Sequence, residues 1–285
     1  MPEKFEENTG QTPDVWVPDI WVIGGGKMGQ ALIRGWLRAG VAAGKLGIID
    51  PKAADHRHFE GLPVAVKRRR PQDLPHFRHE LLVLAVKPQS LPQLLPLYQT
   101  AALQGCWFLS VVAGQPLSLI QEQLASVAVM RAMPNLPAAY QQGFIGCYAL
   151  PSLPSVIYQT WVGLLEKLGM VMPVESEQQL DLVTALSGSG PAYIFLFLEV
   201  FSAIAQEQGL PPKLAGKLAE QTLLGSAVMA SQSGVQPSLL RQQVTSPNGT
   251  TAAALRVLMA DPGLAGLLRR AVAAAFERAQ ELRKN

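Results

Sequence analysis

IWVIGGGKMGQALIRG, residues 20–35, decides how the rest of the chain is read. Ile20 to Ile23 is a short apolar run bounded by glycines, the pattern of a strand covered on both faces. Ala31, Leu32, Gly35 and Trp36 then recur at helical spacing. Between the two, Gly24, Gly26 and Gly29 form a G-x-G-x-x-G turn. Alone this pattern is weak. Here it follows a strand, opens a helix, and has Asp50 closing the next strand, which is the context a dinucleotide site requires. Gly24 permits the tight turn, Gly26 lets a pyrophosphate approach the backbone, and Gly29 lets helix and strand pack closely. The helix start at Lys27 and Met28 offers unpaired N–H groups and a favourable dipole to phosphate. Asp50 would accept hydrogen bonds from a ribose 2′-hydroxyl, which favours NAD. Against it, Lys52, Arg57 and the run Lys67-Arg68-Arg69-Arg70 could meet the 2′-phosphate of NADP. A solvated charge run explains 67–70 as well, so the preference between NADP and NAD stays open.

Outward from this turn, strands are expected at Leu46–Ile49, Pro63–Val66, Leu81–Val86, Phe108–Val112, from Ala128–Met130 onward, and at Gly143–Tyr148. Helices are expected at 90–103, 117–124 and 152–168. This alternation implies an α/β domain of the Rossmann type with a mostly parallel sheet, over residues 19–175. Residues 1–18 are polar and read as a flexible extension. Residues 176–285 read as an all-helical domain, with helices at 179–186, 191–208, 212–233, 236–243, 251–259 and 262–283. Gly188, Gly209, Gly234 and Gly249 punctuate them, and Ser187 or Ser189 is placed to cap the helix starting at Pro191. Several of these helices are apolar on more than one face. Helices apolar all round are buried, so another subunit is the expected cover, at 192–205 and 219–230.

Composition narrows the function classes. Hydrophobic residues make up 48% of the 285 and charged residues 16%, with 24 Lys+Arg against 21 Asp+Glu. A net charge of +3 is too small to argue for nucleic acid. Cys106 and Cys147 match no metal framework and read as free buried thiols. The acidic N-terminal stretch has no apolar core and does not read as a signal peptide. The longest apolar segment, Pro191 to Ala205, contains Glu199 and is too short to span a bilayer. A cytoplasmic location is expected. His56, His58, His76 and His79 read as surface histidines, and no metal site is expected. Met28, Met130, Met133, Met229 and Met259 read as core fillers.

Other candidate positions lie at strand ends and helix starts. Ala85-Val86-Lys87-Pro88 and Ala113-Gly114 end adjacent strands, where ligands bind in such sheets. Arg131 and Asn135 at the end of the next strand suggest something polar docking there. Val244 to Thr251 joins two helices, and the N–H groups at the second helix start would hold a small carboxylate. An ordinary capping loop is the equal alternative.

The segments IGGGKMGQALIRG (23–35), LAVKPQ (84–89), MRAMPNLPA (130–138), LVTALSGSGPAYIFLFLE (182–199) and VTSPNGTTAAALRVL (244–258) resemble the pyrroline-5-carboxylate reductase family. The last two carry the resemblance most specifically. It implies a Rossmann-type domain, an all-helical dimerisation domain, and dimers that often assemble into decamers of five. It implies NADP or NAD as the reduced hydride donor for 1-pyrroline-5-carboxylate. The pyrophosphate would lie over Gly24 to Gly29, and the nicotinamide near Ala85, Val86, Lys87, Pro88, Ala113 and Gly114. Ser246, Gly249, Thr250 and Thr251 would hold the substrate carboxylate, with Thr251 at the ring nitrogen. The loop would come from the partner subunit. Leu136 stands where the family has threonine, and Asn248 where it has glycine; asparagine tolerates left-handed backbone, so the loop shape should survive. Two rivals are a hydroxyacid dehydrogenase and a non-catalytic cofactor-binding protein. The first should carry a basic residue in the first long helix of the helical domain, and Pro191–Glu199 contains none.

Overall fold

The structure, a computed structural model, describes residues 19–51, 59, 61–63, 66–68, 80–125 and 128–284. An eight-stranded sheet forms its centre: β1 (Ile20–Ile23), β2 (Leu46–Ile49), β3 (Val66–Arg68), β4 (Leu81–Leu84), β5 (Trp107–Ser110), β6 (Val129–Met133), β7 (Gly143–Tyr148) and β8 (Gly169–Pro173). The order is β3-β2-β1-β4-β5-β6-β7-β8. β1 to β6 are parallel, β7 runs antiparallel to β6, and β8 lies parallel to β7. The first six strands follow the doubly wound order of dinucleotide-binding sheets, whose direction of winding reverses between β1 and β4. The carboxyl ends of those two strands therefore border the crevice.

β4 shows why its sequence is a continuous apolar run. Leu81 and Val83 face a layer containing Leu32, Ile33, Trp36 and Trp161, while Leu82 and Leu84 face Leu91, Tyr98 and Ile120. All four are fully buried, and each such side chain contributes roughly 1.5–3 kcal/mol. Helix α1 (Lys27–Arg38) buries Ala31, Leu32, Ile33, Gly35 and Trp36. Trp36 also donates its indole N–H to the Leu164 carbonyl at 2.9 Å, tying α1 to α5 (Ser155–Glu166).

Four expectations change. Residues 90–103 are not one helix but a 3₁₀ turn, α2 (Leu91–Leu94), a second 3₁₀ turn and α3 (Gln99–Leu103). Pro92 and Pro96 bring no N–H, so one hydrogen-bond ladder cannot run through them. The third strand lies at Val66–Arg68 rather than Pro63–Val66. β8 was not expected: it is short, opens on Gly169 and closes on Pro173, and alternates half-buried and exposed residues. Its partner is supplied by β7 alone.

The fourth change concerns Gly188. Helix α6 (Glu177–Val183) runs through a π-turn at Thr184–Gly188 into α7 (Gly190–Glu207) without a break in the helix. Ser189 is helical and makes no cap; its N–H reaches the Thr184 carbonyl at 2.9 Å. The continuous stretch Glu177–Glu207 spans 31 residues and is, by length and composition, apolar enough to cross a membrane. Reading the segment as starting at Pro191 made it look too short.

Helices α8 (Pro212–Gln232), α9 (Pro237–Gln243), α10 (Thr250–Leu258) and α11 (Gly263–Lys284) complete the helical domain, and α4 (Leu117–Leu124) belongs to the sheet domain. No residue of α7 is buried, and α8 buries only Ala215 and Ala219. Phe195 is 61% exposed. Met130 and Met133 lie in the core as expected, Met28 packs half-buried against it, but Met229 and Met259 are exposed. Neither fills a core of this chain. Cys106 and Cys147 are buried and form no disulfide.

One carboxyl sits badly. Glu80, just ahead of β4, is pushed up to about 7, chiefly by burial and also by the nearby Asp19 carboxylate. Its proton binds more tightly in the folded state than in the unfolded chain. The stabilisation this gives is fully present below the ordinary value of 4.5 and is lost as pH rises through about 7. Glu80→Gln should therefore raise the melting temperature at pH 8 and leave it nearly unchanged at pH 4.5. A wild-type-like fall in melting temperature between those pH values in the variant would contradict this origin.

Candidate active site

The glycine turn is clamped between two strands. Gly24 N–H donates to the Ile49 carbonyl at 2.9 Å, and Ala85 N–H to the Ile23 carbonyl at 2.8 Å. Gly24 has φ +104°, and a Cβ there would lie 2.6 Å from the Ala85 carbonyl oxygen. A Cβ on Gly29 would lie 2.1 Å from the Gly24 carbonyl oxygen. Gly26 differs: among the described residues nothing approaches its Cβ position within 4 Å. It is exposed and opens α1 with no capping side chain. The first N–H groups of α1, at Lys27, Met28 and Gly29, thus face an open hollow, as a bound phosphate needs. A pyrophosphate fits this turn.

Asp50, at the carboxyl end of β2, accepts the Gly25 N–H at 2.7 Å. The sequence reading gave this carboxylate to a ribose; the structure adds that it also braces the turn. Arg69, Arg70, Lys52, Arg57 and the four histidines lie outside the described residues, as do residues 1–18. Among the described residues no group of three His, Cys, Asp or Glu could hold a metal ion.

Ala85 and Val86 are half-buried beside the glycine turn, Lys87 is exposed, and Pro88 opens a 3₁₀ turn. Ala113 and Gly114 follow the adjacent strand β5, with Gly114 at φ +70°. The two segments leave neighbouring strands on the same side of the sheet. They border the place where the far end of a dinucleotide over Gly24–Gly29 would lie.

Arg131 does not line an open site. It is 1% exposed and pairs with Glu177 at the start of α6. The same Glu177 oxygen accepts the Leu117 N–H at 2.9 Å, at the start of α4. Sequence reasoning missed Glu177 because it lies 46 residues from Arg131 with no spacing rule to link them. Asn135 is nearer to expectation. It is buried, donates to the Ser187 hydroxyl at 3.1 Å and accepts the Phe144 N–H at 3.1 Å. It lines a cleft with Pro137, Ser187, Pro191, Tyr193 and Leu268. Leu136 is 42% exposed at the start of the 3₁₀ turn that packs on α1.

The loop from Val244 to Thr251 has the shape expected of it. Asn248 takes φ +59°, so asparagine serves where glycine would. Gly249 opens α10 without a capping side chain. A Cβ on it would meet the Ser246 hydroxyl at 2.3 Å. The N–H groups of Thr250 and Thr251 at the start of α10 therefore lack intrahelical partners. Ser246 and Thr250 are exposed and Gly249 and Thr251 half-exposed.

A doubly wound sheet with an open glycine turn at its switch point, joined to a helical domain with uncovered apolar faces, defines a two-domain dinucleotide-binding protein. Residues 177–282 match the family described as Pyrroline-5-carboxylate reductase dimerisation, and residues 19–114 match NADP oxidoreductase coenzyme F420-dependent. A pyrroline-5-carboxylate reductase of Pseudomonas aeruginosa is 35% identical over 267 residues, covering 93% of this chain and 97% of that one. The solved structure of a pyrroline-5-carboxylate reductase from Coxiella burnetii is similar with TM-score 0.83 and 31% identity, over 95% of this chain and 100% of that one. The Plasmodium falciparum pyrroline carboxylate reductase, solved with NADP bound, shares the fold at TM-score 0.83 and 24% identity, over 93% of this chain and 98% of that one. The chain belongs to the pyrroline-5-carboxylate reductase family.

Proposed function

We propose that the protein reduces 1-pyrroline-5-carboxylate to L-proline with NADPH or NADH, the last step of proline biosynthesis. The observation that carries this is the loop 244–251: an uncapped helix start, shaped by Asn248 and Gly249, in a chain that also holds an open dinucleotide turn. Membership of the family supports the same reading.

A reduced nicotinamide, when bound, supplies the hydride. The chain's own work is placement. The N–H groups at the start of α1 hold the pyrophosphate, and Gly26 leaves it room. Ala85 to Pro88 and Ala113-Gly114 flank the ring end. The N–H groups at Thr250 and Thr251, with the Ser246 hydroxyl, hold the substrate carboxylate in the partner's site, while the Gly249 N–H closes the turn onto the Ser246 carbonyl at 3.1 Å. Reacting atoms must come to about 3–3.5 Å. A protonated cyclic imine already accepts hydride readily, so no strong acid is needed, and the Thr251 hydroxyl orients the ring nitrogen. The pyrrolinium supplies its own proton.

Comparing kcat/KM for the imine with NADH and with NADPH tests the reading and settles the cofactor preference; no turnover with either defeats it. Thr251→Ala removes the hydroxyl but keeps the backbone donor. Its contact changes as the imine becomes an amine, so kcat should fall more than KM rises. A folded, cofactor-binding variant with unchanged kinetics would defeat the role given to the Thr251 hydroxyl, which caps nothing at the start of α10.

The protein pairs with a second copy through the helical domain, whose exposed apolar helices need that cover. Five such dimers in a decamer, in the cytoplasm, is the finer assembly we propose. Light scattering at micromolar concentration should give an even multiple of the chain mass. An active monomer would overturn the shared site.

A further inference from the structure

We propose that Gln115 is a positioning residue for hydride transfer, latching the loop after β5 to the C-terminal end of α11. The proposal rests on the reductase reading above. The loop Val111 to Pro116 leaves β5 and carries Ala113 and Gly114, the segment assigned to the nicotinamide end. Its start is held by the sheet, the Val111 N–H reaching the Leu84 carbonyl at 3.0 Å, but past the buried Val112 the chain leaves that partner and turns at Gly114, φ +70°. Two contacts from the helical domain hold it instead. Gln115 is 4% exposed, and its amide donates to the Leu282 carbonyl at 3.1 Å. Two residues on, the Leu117 N–H is taken by Glu177.

Both anchors stand on one platform. Leu282 lies in the last turn of α11, Glu177 opens α6, and α11 packs on α6 and on the π-turn that follows it. The Arg131–Glu177 pair fixes that platform to β6. The loop is thus pinned by these packed helices at both Gln115 and Leu117, with Ala113 and Gly114 immediately before the pins. A buried amide bonded to a helix-end carbonyl is stronger evidence of placement than of solubility, because a buried polar group costs free energy unless it is paired. A side chain chosen only to fill space there would be apolar.

Gln115→Met keeps length and bulk and removes the donor. The test measures single-turnover oxidation of bound reduced cofactor by the imine, with cofactor carrying hydrogen or deuterium at the transferring position. Melting temperature and cofactor affinity are measured alongside. A misplaced ring slows the transfer step itself, since displacement by about 1 Å can cost as much as a hundredfold. The expected result is a transfer rate lowered by about tenfold or more, a larger deuterium effect on kcat, and KM for the imine nearly unchanged. Gln115→Ala should behave alike if the donor matters rather than the packing. A lower melting temperature with wild-type transfer rate and isotope effect would overturn the proposal, leaving Gln115 a structural tie. A wild-type protein that never oxidises cofactor with the imine would overturn the functional reading, and the proposal with it.

Discussion

Glu177→Ala should lower the unfolding free energy by about 3–5 kcal/mol, the largest single loss expected of any side chain discussed above. Arg131 is 1% exposed and pairs with Glu177, whose own side chain is 16% exposed. Removing the carboxylate strands a guanidinium inside the protein. It also orphans the Leu117 N–H at the start of α4. Among the described residues, Arg131 Nε and Nη2 make no hydrogen bond of their own. The contrast lies in removing both partners. Replacing a buried ion pair by well-packed apolar residues is often neutral or stabilising, so Arg131→Met with Glu177→Leu should recover much of the loss. Urea unfolding at one fixed protomer concentration measures both, since dimerisation makes apparent stability depend on concentration. A single variant within about 1 kcal/mol of wild type would contradict the account.

Gly29→Ala should abolish measurable dinucleotide binding. Its Cβ would lie 2.1 Å from the Gly24 carbonyl oxygen and 3.0 Å from Val22 Cγ1. The first neighbour is backbone and cannot swing aside. The turn must open, which moves the α1 N–H groups away from the phosphates and adds an overpacking cost of about 1–3 kcal/mol. Gly26→Ala makes the matching control. The protein leaves its Cβ position open, so melting temperature should hold. The methyl group nevertheless enters the space a pyrophosphate approaches, and affinity should fall by about tenfold or more, equal to at least 1.4 kcal/mol. Fluorescence titration with reduced cofactor and thermal melting together separate the cases. Gly26→Ala with lost stability and intact binding would reverse the assigned roles.

Legibility in the sequence followed the range of the interaction. β1, β2, β4 and β7 stand as runs of apolar residues between glycine, proline or polar punctuation, because each pairs within a parallel or edge position that its own composition reveals. β8 did not, because its apolar run, Met170-Val171-Met172, is only three residues long and is placed by the open side of β7. Proline positions were visible, yet 90–103 was read as one helix although Pro92 and Pro96 forbid it. Gly188 was read as a break, and the π-turn carried the helix past it. In the candidate site, the backbone shape of the glycine turn and of the 244–251 loop was legible, with Gly24 and Asn248 at positive φ. The burial of Arg131 was not.

The sequence by itself determined the strand–glycine turn–helix unit with its acid at Asp50 and the helical second domain; for the loop from Ser246 to Thr251 it left a carboxylate site and an ordinary capping loop as equal readings. The glycine turn rests on residues within a few positions of one another and the helical domain on apolar residues at helical spacing, so local pattern sets both. Only the tertiary structure decided that Asp50 braces Gly25, that Arg131 meets Glu177, that Gln115 reaches Leu282, and that α7 is left without cover in one chain. These depend on partners 25, 46 and 167 residues apart along the chain, or on a second chain. No local pattern encodes such distances, because they are fixed by how the sheet and the helical domain pack together.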